Sequence, residues 1–172
     1  RVYIMSDSRP IGIFDSGVGG LTVFSEVEKA LPREEIVYFG DTARVPYGTK
    51  SKKTVTKFSV ENVELLMEHN VKLVLVACNT ASSLSLDFLK RCFRVPIIGV
   101  IGPGARNAVN VTRNSRIGVI GTNATILSGA YEKAIKKISP RAAVYSRSCP
   151  LFVSLAEEGW TSEKVTCDIA SI

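Results

Sequence analysis

The chain contains no C-x-x-C pair and a single histidine, His69, and that absence excludes the common zinc-ligand spacings. Its four cysteines, Cys78, Cys92, Cys149 and Cys167, follow no disulfide-framework pattern, so reduced thiols are expected. No apolar run approaches the roughly 20 residues that span a bilayer, and the N-terminus lacks the features of a signal peptide. No membrane role and a cytoplasmic location are therefore expected. A Walker lysine is missing, and the G-x-G-x-x-G fingerprint fails at its sixth position, where Thr22 stands after Gly17, so neither a nucleotide nor a flavin is expected. The basic excess, 22 Lys and Arg against 16 Asp and Glu for a net charge of +6, suits an anionic partner. Yet Lys50, Lys52, Lys53 and Lys57, like Lys133, Lys136, Lys137 and Arg141, have no aromatic side chains interleaved for base stacking, and they read as solvated helix faces. No nucleic-acid partner is expected.

What is present is an alternation of short β-rich runs and helix-patterned stretches. The runs are Ile11 to Phe14, Glu35 to Gly40, Lys72 to Ala77, Pro96 to Ile101 and Arg116 to Gly121. Helical spacing fills Leu21 to Leu31 and Ser51 to Glu68, with Ser51 as N-cap, and a further helix is expected from Thr122 to about Ile138. Runs apolar on both faces with helices between them require a buried parallel sheet, so the class is doubly wound α/β. Two such units facing each other across a cleft are expected, with a hinge at Pro96 to Pro103. The divisions are an N-terminal appendage over 1–10, a first unit over 11–98 and a second over 99–172. Met5 reads as a natural start, leaving Arg1 to Ile4 as upstream residues.

Polar residues of particular kinds stand at the carboxyl ends of these strands. Asp15 and Ser16 follow the first run, and Cys78, Asn79 and Thr80 follow the third. Ligands bind at that edge of an open α/β sheet, because loop and helix N–H groups converge there. Asp15 and Ser16 also suit a cap and a tight glycine turn, and Cys78 is either a buried structural thiol or one whose thiolate a helix start favours. Cys92 reads as packing and His69 as a surface residue. Gly40 to Gly48, GDTARVPYG, is an ordered loop whose backbone around Tyr47 suits closure over a ligand. Glu157 and Glu158 on their own read as a solvated helix end.

The segments IFDSGVGGLTV, YFGDTARVPYG, VLVACNTAS, GVIGTNATILSGAY and CPLFVSLAEEG, in this order, resemble the signature segments of bacterial glutamate racemases. The likeness runs from about Ile11 to Gly159. It implies a flavodoxin-like pair of units and a cofactor-independent isomerase that interconverts L- and D-glutamate for peptidoglycan synthesis. Two cysteines would flank the α-carbon, one removing the proton and the other delivering one from the opposite face. By this resemblance Cys78 is the first catalytic cysteine, acting on D-glutamate, Asp15 assists its proton traffic, and Glu157 supports the opposite thiol. Ser16, Tyr47, Gly48, Asn79, Thr80 and Thr122 match substrate-binding positions, no metal is implied, and a homodimer is compatible with the family.

One feature of the family pattern is not found in these 172 residues. The second cysteine belongs to a Gly-Cys-Thr-His segment, whereas neither Cys149 nor Cys167 is followed by Thr-His. The expectation is a truncated form lacking that thiol and the last part of both units, with apolar sheet surface left exposed. A catalytically silent fragment that binds a dicarboxylate, or a protein partner such as DNA gyrase, is the alternative reading. An aspartate-type racemase is a further one.

Overall fold

The computed structural model describes residues 7–171. Most of the expected appendage, including Arg1 to Ile4 and Met5, lies outside the described residues, as does the side chain of Glu157. Four parallel strands, β1 (Ile11–Asp15), β2 (Ile36–Gly40), β3 (Leu73–Val76) and β4 (Ile97–Gly99), form one sheet in the order β2-β1-β3-β4. The register sets Phe14 beside both Phe39 and Val76.

These strands are apolar on both faces because both faces are covered. Helix α1 (Leu21–Ala30) lays Val23, Phe24 and Val27 against Ile11, Ile13 and Ala77. On the opposite face α2 (Lys52–Glu68), α3 (Asn79–Leu84) and α4 (Leu86–Cys92) bring Val55, Leu66, Ala81 and Leu89 against Phe14, Val74 and Val76. Ile13, Phe14, Val74 and Val76 are fully buried, each contributing about 1.5–3 kcal/mol of transfer free energy. Ser51 caps α2 as expected, its hydroxyl accepting from the Thr54 N–H at 3.2 Å.

The strand order also creates a functional position. From β1 the chain steps outward to β2, and the next crossover carries β3 to the other side of β1. The crevice at the carboxyl ends of β1 and β3 is therefore the topological switch point of the sheet, the place where open α/β folds bind ligands.

A second parallel pair, β5 (Arg116–Gly121) and β6 (Ala143–Ser148), follows. Helices α5 (Ile101–Val111) and α7 (Ala130–Ile138) pack against it, burying Ala105, Ile117, Ile135 and Ala142. Ile120 and Tyr145, on the strands' other face, are exposed. Between β5 and α7 lies α6 (Asn123–Leu127), and after β6 come α8 (Pro150–Glu157) and α9 (Lys164–Ala170). Among the described residues no helix is long and apolar enough to cross a membrane.

The α/β class holds, and two local expectations, the single helix and Cys92 as packing, need correction. The helix expected from Thr122 to Ile138 is two helices, because Gly129 at φ 63° breaks the path and the Ser128 hydroxyl caps the Ala130 N–H instead. The Pro96 to Pro103 segment holds the expected strand, β4, and then the start of α5, whose first turn accommodates Pro103 without losing a hydrogen bond. Cys92 is exposed at the end of α4 and is not a packing residue. Strand β6, AVYSRS, lies outside the expected runs because its polar residues sit on an exposed surface and break the apolar pattern.

Candidate active site

The switch-point crevice gathers Asp15, Ser16 and Cys78 from chain segments more than sixty residues apart. Asp15 ends β1 and is 7% exposed, with Oδ2 accepting from the Gly17 N–H at 2.9 Å. That bond folds the chain into a tight turn that presents Ser16. Cys78 ends the β3 segment as the N-cap of α3, its Sγ accepting from the Ala81 N–H at 3.4 Å. The Cys78 thiol donates to Ser16 Oγ at 3.5 Å. At 4% exposure the sulfur belongs to the hydrophobic core on one side while touching the polar turn on the other.

The electrostatics of this thiol differ from what a helix start alone suggests. Burial pushes the Cys78 pKa up, and the nearby Asp15 carboxylate pushes it further. Hydrogen bonds from Ser16 and the Ala81 N–H act the other way but do not win. In the free protein the sulfur therefore holds its proton at neutral pH.

The GDTARVPYG loop closes from a second side. Tyr47 is 1% exposed, yet its hydroxyl points into a buried polar network, donating to Asp41 and accepting from Asn62 Nδ2 at 3.0 Å. Arg44 completes the network, with Nε 2.7 Å from Asp41 Oδ2, Nη2 3.0 Å from Asn62 Oδ1 and an ion pair to Glu61. The part of this loop that reaches the second unit is the backbone at Gly48, where an added Cβ would lie 2.4 Å from Thr122 Cβ.

Across that contact the two units meet through hydroxyls. Thr122 caps α6, accepting from the Thr125 N–H at 3.2 Å. Its Oγ1 lies 3.0 Å from both Thr80 Oγ1 and Thr125 Oγ1, and Thr80 and Thr125 are 3.3 Å apart. These three side chains satisfy one another. Asn79 accepts at Oδ1 from the Tyr131 hydroxyl at 2.7 Å. A cavity of about 520 Å³ lined by Asn79, Thr122, Thr125, Tyr131 and the apolar side of β5 opens beside them.

The predicted residues thus fall into two adjoining groups. Cys78, Asp15 and Ser16 form one, and Asn79, Thr80, Gly48 and Thr122 form the other, joined through the start of α3. The Tyr47 ring supports the loop from behind. Glu157 ends α8, and its side chain is outside the described residues. Sequence reasoning missed Tyr38, Thr125 and Tyr131. Thr125 carried a signal, three residues after a cap threonine, whereas Tyr131 lay in an ordinary helical stretch. Among the described residues, no three His, Cys, Asp or Glu side chains gather as metal ligands would.

Known proteins resemble this chain in sequence and fold. A glutamate racemase from Geobacter metallireducens is 60% identical over 157 residues, covering 91% of this chain and 58% of that protein. The crystal structure of a glutamate racemase from Francisella tularensis in complex with D-glutamate superposes with a TM-score of 0.88 at 44% identity, covering 96% of this chain and 62% of that one. A glutamate racemase isoform from Bacillus anthracis gives the same TM-score at 43% identity, over 96% and 61% of the two chains. The chain spans about three fifths of the length of the relatives it matches. The sequence pattern of the Asp/Glu/hydantoin racemase family matches residues 11–172, and the chain belongs to that family.

Proposed function

We propose that this chain supplies one half of the acid/base machinery of a glutamate racemase that serves peptidoglycan synthesis. The observation that carries the reading is the placement of the Cys78 sulfur, 3.5 Å from Ser16 Oγ and beside Asp15, at the switch point of a parallel sheet. Racemisation needs a base on one face of the α-carbon and an acid on the other. Cys78 serves one face. As a thiolate it accepts the α-proton of D-glutamate, and as a thiol it returns a proton to the carbanion when the D-isomer forms. The opposite thiol comes from the family's Gly-Cys-Thr-His segment, supported by Glu157, and no cofactor takes part.

Asp15 has two effects in this scheme. Alone, its charge keeps Cys78 protonated. A substrate α-ammonium bound beside it offsets that charge and lowers the thiol pKa when the substrate arrives. Ser16, Asn79, Thr80, Thr122 and the backbone at Tyr47 and Gly48 bind and orient the two carboxylates between the units at 11–98 and 99–172.

The test is a chimera joining this chain to the remaining segment of the Geobacter metallireducens relative. It should racemise glutamate without pyridoxal phosphate, and Cys78→Ala should lower turnover by about 10²–10⁴-fold, the range for losing a general acid or base. Undiminished turnover in Cys78→Ala, or faster turnover of aspartate than of glutamate, would overturn the proposal.

A second reading, binding without turnover, is favoured by one observation. Burial and the Asp15 carboxylate keep the Cys78 thiol protonated. Calorimetry of the 172-residue chain with D-glutamate in deuterated water separates the two. Binding with no deuterium entering the α-position supports a binding role, and deuterium incorporation supports a working half-site.

A further inference from the structure

We infer that Tyr38 is a positioning residue for Cys78, acting through the Asp15–Gly17 turn. The inference rests on the role proposed for Cys78. Tyr38 lies near the carboxyl end of β2, next to β1 in the sheet, and its hydroxyl donates to the Gly17 carbonyl at 3.0 Å. The same glycine gives its N–H to Asp15 Oδ2 at 2.9 Å. The turn that carries Ser16 is therefore held at both ends of one residue, by the β1 carboxylate from below and by the β2 phenol from the side. Without the phenol the Gly17 carbonyl loses its side-chain partner, and the turn keeps only one of its two polar tethers.

The ring itself is fixed independently. Phe24 of α1 packs edge-on against it, with centroids 6.0 Å apart and an interplanar angle of 79°. Packing thus sets where the ring lies, and the hydroxyl sets where the turn lies. Tyr38 also senses the site electrically, since burial, Asp15 and Cys78 together push its pKa up to about 12. It stays a neutral donor across the physiological range. Among the described residues, the titratable groups coupled electrostatically to the Cys78 sulfur are Asp15 and Tyr38.

The consequence runs down a short chain of contacts. Gly17 fixes Ser16, whose Oγ lies 3.5 Å from the Cys78 sulfur, and the Ser16 hydroxyl donates to that sulfur once it is ionised, which favours the thiolate against burial. Releasing the turn weakens the Ser16 contact and leaves the thiol harder to ionise.

Tyr38→Phe tests this because it keeps the ring and its packing on Phe24 while removing only the hydroxyl. The readout is the pH titration of the Cys78 β-carbon resonance in cysteine-labelled protein, assigned by its disappearance in Cys78→Ser. The midpoint should rise by about half a pH unit in Tyr38→Phe, the size expected from a weakened hydrogen bond. Ser16→Ala should raise it at least as much, and adding Tyr38→Phe to Ser16→Ala should shift it little further. An unchanged midpoint in Tyr38→Phe refutes the inference, and so do fully additive shifts, which would mean that Tyr38 does not act through the turn. Neither result depends on turnover. A chimera that fails to racemise glutamate therefore sinks the proposed function, while the titration decides the role of Tyr38 separately.

Discussion

Replacing Gly48 by alanine puts the junction of the two units to a severe test. The new Cβ would lie 2.4 Å from Thr122 Cβ, 2.5 Å from Cγ2 and 3.0 Å from Oγ1. Ordinary contacts begin near 3.4 Å, so the loop or the start of α6 must retreat by about 1 Å in a close-packed region. Overpacking of this kind costs about 1–3 kcal/mol. Displacing Thr122 also endangers its cap bond to the Thr125 N–H, worth about 1 kcal/mol, and its hydroxyl contacts with Thr80 and Thr125. Against these stands a gain of about 0.4–1 kcal/mol from restricting the unfolded chain. The net expectation is a loss of about 2–3 kcal/mol, read as a lower urea midpoint at unchanged slope. Thr122→Gly removes all three clashing atoms, and glycine at a cap costs only a few tenths of a kcal/mol relative to threonine. The double variant should therefore be more stable than the two single losses added together. A Gly48→Ala protein within about 0.5 kcal/mol of the parent, or simple additivity in the double variant, would show that this contact does not hold the junction.

Three further outcomes are expected. Tyr47→Phe leaves the buried Asp41 and Asn62 short of a partner and should cost about 2 kcal/mol in urea unfolding. Ser51→Ala removes the cap of α2 and should cost about 1 kcal/mol, read as a lower unfolding midpoint. The third concerns alkaline stability. The folded pKa of Cys78 is raised above 9.0 and that of Tyr47 above 10.0, so the folded state keeps protons that the unfolded chain has lost. Their stabilising contribution is complete below about pH 9 and disappears as pH rises through the folded values. Urea midpoints should accordingly fall above about pH 9, and Cys78→Ser should flatten the first part of that fall.

The first unit was legible because its strands are apolar on both faces and its longest helix, α2, carries a clear serine cap. Ile11 to Phe14 and Lys72 to Ala77 read as strands, and Ser51 as a cap, for the same physical reasons that put β1, β3 and the start of α2 there. The second unit was less legible. In β6 polar residues at an exposed surface hide the strand period, and the Ser128 to Gly129 break interrupts what reads as one amphipathic helix. At the site, residue types at strand ends identified Asp15, Ser16 and Cys78. The protonation of Cys78 was not legible, because it follows from burial and from a carboxylate 63 residues away in sequence. Tyr38 escaped notice for a similar reason, since its partner Gly17 lies 21 residues earlier and is brought near only by strand pairing.

The inward direction of the Tyr47 hydroxyl has an effect on affinity. With Asp41, Arg44 and Asn62 tying it into the core, the GDTARVPYG loop takes its shape when the chain folds, before any guest enters. The ordering entropy is then met by folding, and none remains to weaken association. Changes within this network should loosen capture of the proposed substrate through the shape of the loop, since the Tyr47 hydroxyl is directed into the core.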